Sequence, residues 1–531
     1  MKDNITISQL MEIISKRTPN REVFVFPQTG KRYTFKEFQD KIDETAKALI
    51  NQGIKKGCHV GIWMDNTEEW FITFFAANQI GAIGVPINPK YGVAEMSYIL
   101  NKFDIETLFM SNGYQNCHID IANKLFSDFQ IPNSNFPKLK SIITIGFECN
   151  KKNISSFETF ISKEKNIDNY TMSCLQKNNV GDDTAIILPT SGTTGLSKGV
   201  QLTNNQLLKN GYDIGQRYKL DHNDKLLIQV PMVHCFGITL SMLAALTHLT
   251  SMSVISSFNS DIALKTIENE KITCINGVPS MYNEIINNPN FSKTDLTSLK
   301  KGIMAGSNCY PEFISKISKL MQMKIISVYG LSEASPGCTM SNVLDNKYTR
   351  TYTVGSALPG VECKIIDPQS QKEVEIGEKG EFIVRGYNVM TGYYNDIDET
   401  NKVIDNQGYL HTGDLAIKID DNNYRIIGRI KDVIIRGGEN IYPAEVSRII
   451  DEIPGIVESV VFGVDDPRLG QEVKVCVTIN DQSITPEQIR DYMKMQCAKF
   501  KIPKYIQIVP SIIKNNNGKP LIREMKLKYP N

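Results

Sequence analysis

Up to about residue 430 the chain keeps returning to short apolar runs separated by stretches of helical period, and this alternation restricts the fold more than any other feature. KLLIQV at 225–230, ITCINGV at 272–278, KGIMAGS at 301–307 and KIISVYG at 324–330 are of strand length and largely apolar. Such runs belong to strands covered on both faces, and crossover helices are what cover them, so the pattern implies α/β layers built on parallel sheets. In such sheets a ligand sits at the carboxyl ends of the strands. At 531 residues the chain exceeds what one core can hold, and its pattern changes twice. From 360 to 430 the strands shorten and are joined by glycine turns (VECKIID, GEFIVRG, GYLHTGD, YRIIGR), which predicts a small β-rich subdomain. After GRIKD the remainder reads as mixed α+β. The expected organisation is a large N-terminal domain over 1–428, a boundary at 429–432, which the resemblance described below makes a hinge, and an α+β C-terminal domain over 433–531, which it makes mobile. Near the start, YTFKEFQDKIDETAKALINQG predicts a scaffold helix with Thr34 as N-cap, Glu37 completing a capping box and Gly53 as the stop.

The segment TSGTTGLSKG at 190–199 directly follows an apolar run. Gly192, Gly195 and Gly199 let the backbone approach a bulky anion, and Ser191, Thr193 and Thr194 add hydroxyl donors beside the Lys198 charge. This has the makings of a phosphate cradle, though not the common P-loop, which requires Gly, four residues and then Gly-Lys-Ser/Thr. Alone, the segment also reads as a flexible surface turn. The 59 basic and 58 acidic residues nearly cancel, leaving no electrostatic footprint for nucleic acid and no polybasic membrane patch. Eleven cysteines without a CxxC pair, and only six histidines, argue against a zinc site or a disulfide framework and fit a reducing cytoplasm. The N-terminal segment has no apolar signal core, and no apolar run is long enough to span a bilayer, so a cytoplasmic protein without a transmembrane segment is expected.

Taken in order, TSGTTGLSKG, YGLSE at 329–333, HTGD at 411–414, GRIKD at 428–432 and NGKP at 517–520 resemble the motifs of the adenylate-forming superfamily, over nearly the whole chain. That superfamily includes acyl-CoA synthetases, nonribosomal adenylation domains and firefly-type luciferases. PMVHCFG, GIMAGSNC, RGYNVMTGYYND and IIRGGENIYP look like its medium-chain acyl-CoA synthetase branch, the one containing the vertebrate family-member-2 enzyme. The resemblance implies an AMP-forming acid–thiol ligase that uses ATP, Mg2+ and CoA. A carboxylic acid, expected to be a medium- to long-chain fatty acid, would form acyl-AMP and pyrophosphate, and the acyl group would then pass to CoA. The alternative is a stand-alone adenylating enzyme that loads an acyl or aryl acid onto a carrier-protein phosphopantetheine, because the same thiol chemistry serves both. Expected partners are the acid, one of these thiols and a second copy of the chain, with no nucleic acid.

The resemblance also assigns roles. Thr190, Ser191, Gly192, Thr193, Thr194, Gly195 and Lys198 would grip the β- and γ-phosphates. Glu333 is a hard carboxylate suited to Mg2+, Tyr329 would stack on adenine, and Gly330 and Ser332 would lie against the nucleotide. Asp414 would accept from both ribose hydroxyls, and Arg429 would offer a planar fork to ribose or phosphate. Read singly, Glu333 is equally a capping residue, Asp414 an Asx-turn and Arg429 a surface ion-pair partner. Lys519 would reach the acyl carboxylate and the α-phosphate. His234 would be an aromatic wall that swings to admit the acid, a gate and not a base, because carboxylate attack on ATP releases no proton. Cys235, Met304, Ala305, Gly306, Ser307, Gly330 and Pro336 would line the acyl pocket, with Met304 and Cys235 narrowing it. Lys431 would be the hinge residue, and Gly437, Gly438 and Glu439 would meet the pantetheine arm. Two positions depart from the superfamily pattern: Ser197 stands where proline is usual, and NNNG precedes Lys519. The insertion of fatty acyl-AMP ligases is not recognisable, which favours a two-step enzyme.

Overall fold

The computed structural model describes the chain except for residues 1–3, 127–129, 150, 163–166, 169–171, 173–174, 191–196, 308, 515–519 and 531. The four apolar runs singled out above are neighbours in one sheet. Strands Lys225–Ile228, Cys274–Gly277, Lys301–Met304 and Lys324–Gly330 lie side by side and parallel, in the register Leu226↔Cys274, Ile275↔Gly302 and Ile303↔Ile326. Ser251–Val254 and Glu22–Phe26 extend the parallel ladder on one side, while Gly337–Met340 turns back antiparallel on the other. A second sheet runs in the order Gly392–Tyr393, Lys198–Thr203, Thr184–Thr190, Ile83–Ile87, His59–Trp63, Ile105–Ser111, Ser141–Ile145 and Ile154–Ser156.

The largest apolar cluster draws on both sheets, with Phe24 and Met252 from one and Val60 and Ile186 from the other. Trp70, Phe71, Phe74 and Phe75 of helix Glu68–Gln79 belong to the same cluster. After its two leading glutamates this helix is apolar or small nearly all round, a composition stable only when enclosed, and the glutamates sit at the positive end of its dipole. Helix Phe35–Asn51 begins and stops as its sequence predicts. Thr34 accepts from the Glu37 N–H, the Glu37 carboxylate takes the Thr34 N–H at 2.8 Å, and Gly53 follows at φ +84°.

The β-rich segment is a four-stranded antiparallel sheet of Val361–Ile366, Lys379–Gly386, Leu410–Lys418 and Tyr424–Arg429. A short 3-10 turn, Ile430–Asp432, leads from it into a C-terminal sheet of Ile434–Arg436, Glu439–Ile441, Ile456–Asp466, Gly470–Ile479 and Tyr505–Ile508. That sheet packs its own apolar clusters, one around Ile434, Val461 and Ile489 and the other around Phe462, Val509 and Met525, and neither draws on a residue before 434. It touches the preceding part through polar contacts. The Tyr310 hydroxyl donates to Ala444 O at 3.4 Å, Arg448 pairs with Glu312 at 3.4 Å, and the Lys379 ammonium lies 4.2 Å from the Tyr442 ring centre. An exposed ion pair such as Arg448–Glu312 contributes about 1 kcal/mol or less. Among the described residues no helix is long and apolar enough to cross a membrane.

One buried carboxyl in the C-terminal part has a measurable signature. Asp451 ends helix Pro443–Asp451, its Oδ1 has no hydrogen-bond partner, and burial pushes its carboxyl up to about 7. A folded-state value raised above the ordinary 3.8 means that the folded form holds the proton more tightly. The associated stability is present in acid and is lost as the pH rises towards 7. Asp451→Asn keeps the shape without the charge, so its Tm is expected to exceed that of the parent at pH 8 and to match it at pH 4. Equal shifts at both pH values in thermal melts contradict this.

Candidate functional site

Gly330 closes strand Lys324–Gly330 at a point where only glycine fits, because a Cβ there would lie 1.7 Å from Pro336 O. The chain then folds back, with the Leu331 N–H donating to Pro336 O at 3.1 Å. The loop is tied to the 386–393 segment by Met390 N–H to Glu333 O at 2.8 Å and by Ser335 Oγ to Asn388 O at 2.6 Å. This tight return leaves Tyr329, Ser332 and Glu333 pointing at three different neighbours.

Tyr329 points at Asp414. Its hydroxyl donates to Asp414 Oδ2 at 2.7 Å, while Arg429 Nε pairs with Oδ1 at 2.9 Å. Burial, with the carboxylate second, drives the Tyr329 phenol far above its usual range, so it stays a neutral donor. HTGD is not the free turn expected from sequence. It lies inside strand Leu410–Lys418, where Gly413 at φ +67° and a register shift opposite Glu381–Ile383 make a bulge. Asp414 is placed directly across from Arg429 in the neighbouring strand, which forces the two side chains together. Glu381 braces the bulge by accepting the Gly413 N–H at 3.0 Å and facing His411 Nδ1 at 3.1 Å. An ionised carboxylate has about four acceptor positions, so Asp414 with two partners keeps room for two hydroxyl donors.

Glu333 points at Tyr393, whose hydroxyl donates to Glu333 Oε1 at 2.9 Å. The Tyr393 ring lies beneath Lys198, with the ammonium 4.9 Å from its centre, and Lys198 in turn forms an ion pair with Glu399. Lys198 is fixed at its backbone by antiparallel pairing with Thr190, so the two flanks of the 190–199 segment are held in register. Among the described residues no three His, Cys, Asp or Glu side chains gather into a metal cage. Tyr393 occupies Glu333 Oε1, and Oε2 of that carboxylate is a hard oxygen donor of the kind that could share in holding a cation such as Mg2+.

Ser332 points at Cys235, Oγ to Sγ at 3.6 Å, and burial pushes the Cys235 thiol up to about 11, so it stays a neutral thiol. Cys235 and Ala305 share the apolar cluster that also holds Tyr329. Met304 is separated from them. It is fully buried in the cluster of Tyr282, Ile314 and Ile317, because successive residues of a strand face opposite sides. Gly306 at φ +85° and Ser307 are exposed just beyond the strand end. His234 is half-buried ahead of the π-helical segment Phe236–Leu243, its carbonyl accepting from the Ile238 N–H at 3.1 Å. A cleft of about 400 Å3 beside Tyr393 is lined by Gln201, Asp396 and Asp398, among others.

The contacts fall into three groups that meet only in the chain at 329–333: Arg429–Asp414–Tyr329, Lys198–Tyr393–Glu333 and Ser332–Cys235. Tyr393, Glu399 and Glu381 are the additions that sequence reasoning missed. Tyr393 stands in the GYYND stretch noted for its resemblance, whereas Glu399 gave no signal. Ser191, Gly192, Thr193, Thr194, Gly195 and Lys519 lie outside the described residues. Lys431 is in the 3-10 turn after Arg429, where burial and then the Arg429 charge lower its affinity for a proton. Gly437 at φ +59° and Gly438 at φ +88° form the exposed two-residue turn between Ile434–Arg436 and Glu439–Ile441, with Glu439 also exposed.

Residues 11–394 match the family model for the AMP-binding enzyme, and residues 445–519 match that for the AMP-binding enzyme C-terminal domain. The chain is 37% identical to the YngI protein of Bacillus subtilis (strain 168) over 98% of its own length and 96% of that protein's. It is 34% identical to the mitochondrial medium-chain acyl-CoA ligase ACSF2 of Danio rerio, over 98% of this chain and 88% of the other. The crystal structure of the anthranilate CoA ligase AuaEII in complex with anthranoyl-AMP superimposes with a TM-score of 0.89 at 22% identity, covering 99% of this chain and 97% of that one, and shows the same fold.

Proposed function

Because the chain belongs to the AMP-binding enzyme family, we propose that it is an ATP-dependent acid–CoA ligase that forms an acyl-adenylate and pyrophosphate and then transfers the acyl group to CoA. Its acid is a medium- to long-chain fatty acid. The observation that supports the reading is the two runs of contacts, Arg429–Asp414–Tyr329 and Lys198–Tyr393–Glu333, which meet in the chain at 329–333 and suit a ribose acceptor, a phosphate cation and a metal carboxylate. The fatty-acid preference is supported by the name of the Danio rerio relative.

A carboxylate is a poor electrophile, and the chain's residues serve to turn one of its oxygens into part of a better leaving group, AMP. Asp414, held by Tyr329 and Arg429, takes the ribose hydroxyls and fixes the α-phosphorus relative to the acid. Lys198 neutralises charge on the departing phosphates, and Glu333 would hold Mg2+, which when bound withdraws charge from the same oxygens. Lys519 supplies a cation between the acyl carboxylate and the α-phosphate. The carboxylate oxygen bonds to the α-phosphorus, the bond to pyrophosphate breaks, and the CoA thiolate then displaces AMP at the acyl carbon. Lys519 must leave before the thiol enters, and the C-terminal part turns about 429–432 to bring Gly437, Gly438 and Glu439 to the pantetheine arm. The polar contact between the two parts suits such a turn.

Pyrophosphate release with ATP and Mg2+, measured over short, medium, long and aryl acids with and without CoA, tests this. Turnover that needs CoA and peaks with medium to long acids is expected. Release indifferent to CoA, with the acyl group passing instead to a holo-carrier protein, overturns the choice of thiol. Lys431→Pro fixes φ near −65° at the hinge, and is expected to keep adenylation within about threefold of the parent while slowing thioester formation at least about tenfold. Unaltered rates for both steps in single-turnover assays contradict it.

A further inference from the structure

Lys198 is not held ready for a phosphate; its charge is already matched. Its ammonium pairs with Glu399 Oε2, and both side chains are largely covered, 19% and 29% exposed. Glu399 belongs to the first turn of helix Ile397–Val403 and comes from a stretch of chain far from Lys198 in sequence. The hydrogen bond from Lys198, with a second from Lys402, draws the Glu399 carboxyl down to about 2. An incoming anion can reach the full charge of Lys198 only by displacing this carboxylate.

We propose that Glu399 is the resting counter-ion of Lys198, a positioning residue that the triphosphate of ATP displaces as it binds. The inference rests on the ATP-binding reading above. Three features make the exchange easy. First, Glu399 is not stranded when Lys198 leaves, because Lys402 already bonds its Oε1 at 2.5 Å. Second, the Tyr393 ring lies under the ammonium at 4.9 Å and is itself fixed by its hydroxyl to Glu333 at 2.9 Å. Lys198 therefore swings over an immobile aromatic face, which favours a cation throughout, towards the carboxylate assigned to the metal. Third, the backbone around Lys198 is pinned on both sides, by pairing with Thr190 and by the Tyr394 N–H to Gly199 O at 2.7 Å, so only the side chain has to move. Without a nucleotide, the pair keeps a half-buried cation from facing its surroundings alone.

Glu399→Gln removes the competing charge and keeps the side-chain shape, so it is expected to tighten ATP binding. Full-length parent, Glu399→Gln, Lys198→Ala and the double variant would be titrated with ATP by calorimetry, in EDTA and in Mg2+, and with AMP as the ligand lacking β- and γ-phosphates. Glu399→Gln is expected to lower the Kd for ATP by about two- to fivefold, the scale of one partly exposed ion pair. It should leave AMP affinity unchanged, and its effect should vanish in the Lys198→Ala background. Unchanged or weaker ATP binding by Glu399→Gln, an equal gain for AMP, or a gain that persists without Lys198 each overturns the exchange. A parent protein that binds no ATP instead removes the nucleotide reading itself, and the exchange with it.

Discussion

Lys519→Ala is expected to slow acyl-adenylate formation by about a hundred- to a thousandfold, and to leave the conversion of supplied acyl-adenylate into acyl-CoA within about threefold of the parent. The magnitude is that of removing one fixed charge from a site where negative charge builds up on a reacting phosphoryl group. Acid and ATP are both anionic, so a cation between them both relieves their repulsion and stabilises the in-line arrangement. The asymmetry between the half-reactions is the more telling part. The thiol attacks an acyl carbon whose leaving group, AMP, is already in place, and on this account Lys519 has by then been carried away. Single-turnover kinetics with ATP and acid, and separately with synthetic acyl-adenylate and CoA, read the two steps apart. An equal loss in both would show that Lys519 maintains the fold or serves both steps.

Asp414→Ala carries the second large effect. The carboxylate is 7% exposed and satisfies the buried Tyr329 hydroxyl and Arg429 Nε, so truncation removes the acceptor of both at once. Leaving buried polar partners unsatisfied costs about 1–3 kcal/mol, and a lowered Tm is expected. The loss in ATP recognition is larger. Removing one member of a buried, charged hydrogen-bond set costs about 2–5 kcal/mol, or roughly 30- to 4,000-fold in kcat/KM for ATP. Comparison with 2′-deoxy-ATP separates recognition from damage. The parent should prefer ATP strongly, and Asp414→Ala should use the two nucleotides almost equally poorly. A variant that is slow yet still discriminates would show that the ribose is held elsewhere.

The four strands that lead to the site were legible because each of the four apolar runs is buried on both faces, which leaves a continuous signal in one short window; their order in the sheet was not. The helix at Phe35–Asn51 was legible for a similar reason, since its cap residues are local. The face that Met304 takes was not legible, because the sequence names the strand but not its orientation, and one position decides between opposite sides of the sheet. The HTGD segment was misread as a turn because glycine at positive φ serves turns and bulges alike, and only the pairing partner, strand Lys379–Gly386, distinguishes them. Glu399 was invisible because it lies 201 residues from Lys198, and a lone acidic residue in a helix carries no mark of its partner. The Tyr393–Glu333 bond, spanning 60 residues, is hidden in the same way, as is the second task of Tyr329 in bracing Asp414.

The central claim is that the acid is activated as an acyl-adenylate on the way to a CoA thioester. It is tested most directly by running the reaction with a fatty acid whose carboxylate carries two 18O atoms and analysing the products by mass spectrometry. Attack of the carboxylate on the α-phosphorus, followed by thiol attack on the acyl carbon, must transfer one of the two labelled oxygens to AMP and leave the other in the acyl-CoA. AMP with a single 18O in its phosphate, formed together with labelled acyl-CoA, is the predicted result. Unlabelled AMP, or label in inorganic phosphate released with ADP, would contradict the account.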